Sequence, residues 1–398
     1  MTSLQALNAL NFFKADVRNG LGPFLGVYLQ QQNWSPGQIG LVMTIGGLAG
    51  MAATTPLGML VDRATAKLAI VIAAAVIVIA GSALLFVWPT FAVVTLSQIA
   101  TGVAGAAIGP AIAGITLGLV TQRGFAHQLG RNEAFNHGGN VFAALAAGLL
   151  GYLFGLGAVF VVMASMAVAS IGVASAIRAS EIDHAAARGA VSEDAGETKG
   201  FRALFETPAL LILGVTLLLF HLGNAAMLPL LGQSLVAGGA GDASAYTSAT
   251  IIVAQVTMIP MALLAARIAE QRGYCIVFLI ALFALPLRGA IAAFVTGPVG
   301  LVPVQVLDGV GAGMLGVAVP GMVARILAGT GQINAGLGAV MTLQGVGAAL
   351  STVVGGYAAQ LYGYEAAFGV LGAIAGCALL IWVFSQPFLR EASTRVSA

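Results

Sequence analysis

The residues of this chain that can do chemistry are few, and most of them sit inside apolar runs. Asp16 and Arg18 fall in the first such run, just after Lys14. Glu133, His137 and Asn140 follow one another at helical spacing, directly after Arg131 and Asn132. His221 and Asn224 are three apart, as are Gln305 and Asp308. Arg288 stands alone after Pro286, and Gln98, Gln255 and Gln344 are single amides in apolar surroundings. A carboxylate shielded from water is a residue type that takes up and releases protons, and a histidine beside a carboxylate titrates near neutrality. Asp16, Asp308, Glu133 and His137 are therefore the candidates for moving protons. Phe12, Asp16, Asn19, Gln98, His221, Asn224, Gln305, Asp308 and Gln344 are the candidates for lining a solute cavity. No nucleophile–base pair or metal triad stands at a recognisable spacing, so neither enzymatic chemistry, a metal site nor a cofactor is expected.

The elements that must position these groups follow from composition. Of 398 residues, 59% are hydrophobic and 8% charged. A soluble domain carries roughly 25% charged residues, and disorder needs low hydrophobicity, so both classes are excluded. Apolar runs are continuous instead of alternating, which argues against a β-barrel. The formal charge of +2 is too small to suggest nucleic acid as a partner. Cys275 and Cys377 both lie in apolar runs and read as unpaired buried thiols. The first run contains charges and lacks a cleavage site, so it reads as a membrane helix and not a signal peptide. At about 20 apolar residues per crossing, the chain is expected to form twelve spans near residues 5–30, 37–61, 68–87, 91–121, 131–154, 158–178, 208–235, 244–268, 274–295, 298–327, 333–360 and 365–387.

Orientation is expected from the basic residues. Arg63, Lys67, Arg123, Arg131, Arg178, Arg188, Lys199, Arg202, Arg267, Arg272, Arg325, Arg390 and Arg395 fall on one side, thirteen of the sixteen Lys and Arg. That side is cytoplasmic by the positive-inside rule, which places both termini in the cytoplasm and Trp34 and Trp88 at the outer interface. The location expected is a bacterial inner membrane or plasma membrane. Within span 1, Asp16 then lies about 9 Å and Arg18 about 12 Å from the inner end. A charge at mid-bilayer costs about 2.5–3.5 kcal/mol on insertion scales, so both must face a cavity or a partner. Asp16, Asn19 and Pro23 share a face with Phe12, and that face is expected to line a cavity. Arg18 points away from it, with Glu133 as its expected partner. A structural, hydrogen-bonded Asp16 is the alternative. Lys14 reads as snorkelling to the interface. Glu133, His137 and Asn140 are either a proton relay or a helix start with a satisfied histidine. Arg288 is expected to pair internally or snorkel, and Asp308 either serves the cavity or pairs with a base.

The chain repeats itself. At an offset of 207, Gln98, Gly102, Val103, Gly109, Ala111 and Gly114 meet Gln305, Gly309, Val310, Gly316, Ala318 and Gly321, while Gly138 and Gly148 meet Gly345 and Gly355. The pairs Gly102/Gly109 and Gly309/Gly316 put small residues on one helix face, which close helix packing explains. A polar stretch at 179–207 separates the halves, giving a six-helix bundle at 1–178, a cytoplasmic linker at 179–207 and a second bundle at 208–398.

The loop after span 2 reads Pro56-Leu57-Gly58-Met59-Leu60-Val61-Asp62-Arg63-Ala64-Thr65-Ala66-Lys67. It resembles the signature of the major facilitator superfamily, and Ala266-Arg267-Ile268-Ala269-Glu270-Gln271-Arg272 resembles its degenerate second copy. The resemblance implies an all-α membrane protein with twelve transmembrane helices in two pseudo-symmetric six-helix bundles, the major facilitator fold. It also implies a cavity lined by spans 1, 4, 7 and 10, alternating access, and a gating role for Gly58, Asp62, Arg63, Lys67 and Glu270, with Asp62 docking near Gln332-Ile333-Asn334. The Gly-Arg pair late in the signature is replaced by Thr65-Ala66, Gln98 stands where many proton-linked members carry Arg, and Gly148-Leu149-Leu150-Gly151 lacks the proline of drug antiporters. The function implied is secondary transport of a small organic solute, with proton-coupled export as the first reading. Phe12, Phe24 and Phe220 suit an amphipathic or cationic solute. The alternative is an organic anion or metal chelate held by Arg18, Arg288 and the histidines. The expected partners are the solute, protons and the lipid bilayer, and the protein is expected to act as a monomer.

Cysteines introduced at Ser35, Thr90 and Asp242 are expected to react with an impermeant thiol reagent from outside, and those at Thr65 and Glu193 only from the cytoplasm. External labelling at position 193 overturns the topology.

Overall fold

Helix boundaries in the computed structural model are written into the local sequence. The structure describes residues 1–17, 21–183, 206–239, 242–295, 298–328, 330 and 333–393, without the side chains of residues 16, 17, 62, 122, 123, 126, 298, 334 and 390–393. Helix α1 (Ser3–Val17) starts with a reciprocal cap: the Gln5 N–H bonds the Thr2 hydroxyl and the Thr2 N–H bonds Gln5 Oε1. α2 (Pro23–Gln31) opens on proline. α3 (Pro36–Arg63) repeats the cap with Ser35 and Gln38. α4 (Lys67–Val87) leads to α5 (Phe91–Phe154), whose axis is interrupted at Thr121 by a φ of 56°. α6 (Gly157–Ser175) completes the first half. In the second, α7 (Pro208–Asn224) and α8 (Met227–Ala237) share one broken span. α9 (Ala243–Arg272) is capped by Asp242, whose Oδ1 accepts the Ala245 N–H at 2.8 Å. α10 (Tyr274–Phe294), α11 (Leu301–Ile326), α12 (Ile333–Tyr362), α13 (Tyr364–Phe384) and the short α14 (Gln386–Ser393) follow. Gly155 (φ 80°) and Gly363 (φ 89°) make the tight reversals into α6 and α13, a conformation that costs other residues about 1–2 kcal/mol.

No strand occurs among the described residues, and eleven helical stretches there are long and apolar enough to cross a membrane. The expected first span is described as α1 and α2, of 15 and 9 residues, each too short alone. The other expected spans match helical stretches to within a few residues at most ends.

Two compact units emerge. The first comprises the described residues of Met1–Asn33, Ile45–Ala195 and Gly241–Ser248, and the second those of Trp34–Thr44, Gly196–Ala240 and Ala249–Ala398. The expected boundaries at 178 and 208 do not separate residues 34–44 and 241–248 in this way, and most of the expected linker lies outside the described residues. The exchange has a packing cause. In the second unit the start of α3 lies on α12: a Cβ on Gly40 would fall on the Thr352 carbonyl, and the Thr44 hydroxyl donates to the Ala349 carbonyl at 2.7 Å. In the first unit the start of α9 lies on α5, where Gly148 and Gly151 face Ser248 and Ser244.

The internal repeat extends to helix crossings. In the first unit Gly102 lies on the backbone of Gly46 and Gly50, and in the second Gly309 lies on Ala254 and Thr257. Gly109 and Gly316 correct the sequence expectation: nothing lies within 4 Å of a Cβ at either position, so they make no helix contact. Seven residues on, the crossing helices have diverged. Lys14 is also corrected. It is 5% exposed, held inside the unit and not snorkelling. Cys377 is exposed and Cys275 half-buried, its thiol bonded to Gln386, so neither is the buried thiol expected.

Gly102→Val and Gly309→Val are expected to destabilise by about 1–3 kcal/mol through overpacking, read as a lower melting temperature in detergent. Gly109→Ala should melt no lower than the parent, because its methyl meets open space and favours helix.

Candidate functional site

In the second unit one buried cation organises the polar groups. Arg288 of α10 is 1% exposed. Its Nη1 donates to Asp308 Oδ1 of α11 at 2.7 Å and also to Asn224 Oδ1 at the end of α7. Arg288 Nε and Nη2 are buried without a hydrogen-bond partner among the described residues. Gln305, one turn before Asp308, is fully buried, and both ends of its amide also lack a partner among the described residues.

Asn224 also borders a cavity of about 350 Å³, whose walls include Phe220, His221, Gly316, Met341 and Gln344. His221 Nδ1 lies 3.2 Å from the Leu217 carbonyl. A carbonyl only accepts, so Nδ1 carries a proton and Nε2 of the neutral ring is an acceptor. Phe220 and His221 lie with ring centroids 5.2 Å apart. Because the Asn224 oxygen is engaged by Arg288, its NH₂ is the end left over. The cavity thus combines apolar walls with a few directional polar groups, the composition of small-molecule sites.

The first unit contains a polar cluster of different character. Gln128 Nε2 donates to Asn8 Oδ1 at 2.7 Å and to Asn132 Oδ1 at 3.0 Å. Asn132 donates to the Thr116 hydroxyl at 2.9 Å, and Thr116 to the Ile112 carbonyl. All four side chains are buried. Gln128 and Asn132, four apart, carry the signal that would have revealed this cluster.

The sequence candidates fall as follows. His221, Asn224 and Gln344 meet at the cavity, while Asp308 and Arg288 pair beside it. Gln305 does not line the cavity: it is packed into the core behind it. Phe12 is corrected too. Its backbone carbonyl lies against Gly139 and its ring packs on Phe142 with centroids 5.5 Å apart, so α1 turns this residue to α5. Phe24 is buried, 7% exposed. Gln98 rests on Gly46. Glu133 is exposed and makes no bond to His137, whose Nδ1 is buried without a partner among the described residues. No proton relay is assembled there, because the buried face of that helix is the Gln128–Asn132 face, about 100° from Glu133. Asp16, Arg18 and Asn19 lie outside the described residues or side chains, as does the Asp62 side chain. In the signature loop Gly58 meets open space, Arg63 is exposed and Glu270 is exposed. Lys67 turns inward at 1% exposure, and its Nζ donates to the carbonyls of Val61 and Ala64, closing the end of α3.

Residues 7–287 match the model of the Major Facilitator Superfamily. This chain belongs to the major facilitator superfamily. It is 42% identical over 396 residues, 98% of its length and 95% of theirs, to an uncharacterized MFS-type transporter found in two strains of Mycobacterium tuberculosis. Among solved structures it is similar to the nucleoside transporter NupG at 15% identity, with a TM-score of 0.82 over 96% of this chain and 99% of that one. A peptide transporter POT in complex with sulfate gives a TM-score of 0.77 at 14% identity, covering 98% and 96%. These likenesses support the fold, and family membership makes this superfamily chain an integral membrane protein and a secondary transporter, not an enzyme.

Asp308→Leu leaves the buried guanidinium uncompensated and is expected to cost about 3–5 kcal/mol. The double variant Arg288→Met/Asp308→Leu should recover most of that loss. A double-variant melting temperature as low as that of Asp308→Leu alone contradicts the pairing as the source of the cost.

Proposed function

We propose that this transporter exports a small organic solute by alternating access, in exchange for protons, and that the solute binds in the second-unit cavity. The observation that carries the reading is the contact of that cavity with a buried ion pair through one residue, Asn224. Arg288 Nη1 is shared between Asn224 and Asp308. Protonating Asp308 weakens its hold on the guanidinium and strengthens the bond to Asn224. A solute that prefers one of these two arrangements is thermodynamically linked to the proton. Asp16, near the end of α1, is the second acid in the proposal. The predominantly apolar walls favour a solute with an apolar face. Such a solute crosses lipid unaided, so outward pumping is the direction that gains anything. Arg288 is buried away from the cavity lining and its charge is paired with Asp308, which speaks against an organic anion as cargo. Both termini face the cytoplasm, and the protein works as a monomer.

The test uses proteoliposomes with an internal pH dye and a solute selected by thermal shift. In the parent, solute flux moves protons. Gly316→Leu fills the cavity from a position where a side chain meets open space, so it should melt no lower than the parent while reducing flux at least tenfold. Arg288→Met/Asp308→Asn should retain solute exchange and lose its dependence on the pH gradient, and Asp16→Asn is measured beside it. Gradient-driven transport intact in the double variant removes Asp308 from coupling, and undiminished flux in Gly316→Leu removes the cavity as the site.

A further inference from the structure

The fixed hydrogen-bond polarity of the cavity's two neighbouring polar groups narrows the solute. An asparagine amide is ordinarily ambivalent, because its oxygen accepts and its nitrogen donates. Here the choice is made by Arg288, which has only donors: it bonds the Asn224 oxygen and so leaves the Nδ2 hydrogens as what this cavity-lining residue has to offer. A neutral histidine is equally ambivalent between tautomers. The Leu217 carbonyl makes the choice, holding the proton on Nδ1 and leaving Nε2 as an acceptor. His221 and Asn224 stand three residues apart on α7, so their Cβ atoms are about 5–6 Å apart on one helix face. The wall therefore offers one donor beside one acceptor, each fixed by a group behind it that cannot reverse. Phe220, adjacent to His221, supplies a flat apolar surface bordering the same space.

We infer that the cavity recognises neutral, planar solutes carrying an N–H donor next to a carbonyl acceptor, the edge of a lactam or of an amide-containing heterocycle. The solute carbonyl takes the Asn224 Nδ2 hydrogen, the solute N–H bonds His221 Nε2, and the ring lies against Phe220. Gln344, the third polar group of the cavity, takes no part in the inferred edge. This inference rests on the cavity being the solute site.

The probes are 2-quinolone, which has the edge, and N-methyl-2-quinolone, which keeps the carbonyl and ring but lacks the donor. Thermal stabilisation of the full chain in nanodiscs is titrated with each. The parent should be half-saturated by 2-quinolone at a concentration about tenfold lower than by its N-methyl derivative, the ratio one lost hydrogen bond of ordinary strength produces. His221→Phe removes the acceptor and should abolish that ratio. Asn224→Asp keeps an oxygen for Arg288 but replaces the donor by an acceptor, and should weaken both probes at least tenfold. Gly316→Leu should abolish stabilisation by either probe. Equal half-saturation by the two probes in the parent, a ratio unchanged in His221→Phe, or no stabilisation of the parent by 2-quinolone overturns the inferred edge. Selective stabilisation that survives in Gly316→Leu instead places the binding elsewhere and overturns the cavity as the site, so the two failures are told apart.

Discussion

A guanidinium excluded from water has to be neutralised and bonded where it stands, and the second unit is arranged around that requirement. Arg288, at 1% exposure, draws Asp308 from α11 and Asn224 from the end of α7 to a single nitrogen. Three helices are thereby fixed at one depth. The charge cannot be made cheap by hydration, so it is compensated by position, and removing either partner leaves a cost that neighbouring apolar groups cannot absorb. The same bond settles which end of Asn224 meets the cavity. A structural demand and a recognition feature are thus one interaction.

The buried cluster around Gln128 in the first unit is built without charge. Asn8, Gln128, Asn132 and Thr116 form a closed chain of neutral hydrogen bonds. Counting back 207 residues from Arg288, Asp308 and Asn224 gives Gly81, Thr101 and Val17, none of which can ionise. The repeat supplies two copies of the helix crossings, at Gly102 with Gly46 and at Gly309 with Ala254. Only one copy carries the ion pair. An amide network has one protonation state at any ordinary pH and serves position alone. The Arg288–Asp308 pair instead holds opposite charges 2.7 Å apart.

Much of this was legible in the residues. The helical stretches, the repeat, and the isolation of Arg288 and Asp308 in apolar runs all follow from composition and spacing. That the two pair with each other was not legible, because 20 residues and a turn separate them and helix rotation decides whether they meet. Rotation also explains the misplaced candidates. A single residue shifts a helix face by about 100°, so Asn132 is buried where Glu133 is exposed, and Phe12 faces α5 and not a cavity. Glycine spacing likewise states that a close approach is permitted, not where it occurs. Gly309 is used for contact and Gly316, two turns on, is left at a cavity wall. The signature lysine shows the same limit. The resemblance implies a gating role for it but not its local bonds, and Lys67 bends back to bond two carbonyls at the end of α3.

The break between α7 and α8 explains why the cation is tolerated at that point. A helix interrupted within an apolar medium exposes backbone groups that must find partners. At this break the Ala226 N–H is bonded by the Ser351 hydroxyl of α12 at 2.9 Å, so the interruption is held open by design of the neighbouring helix. The end of α7 then presents carbonyl groups with the partial negative charge of a helix C-terminus. Arg288 reaches Asn224, the last residue of that helix, and so sits where the field of α7 favours a positive charge. The carboxylate of Asp308 adds to a field the backbone already provides. Placing the cation at a helix end also puts it beside the point where the chain is least constrained by its own hydrogen bonds. Arg288 therefore ties Asp308 to Asn224, a residue of the cavity wall, at a point where no intact helix has to bend.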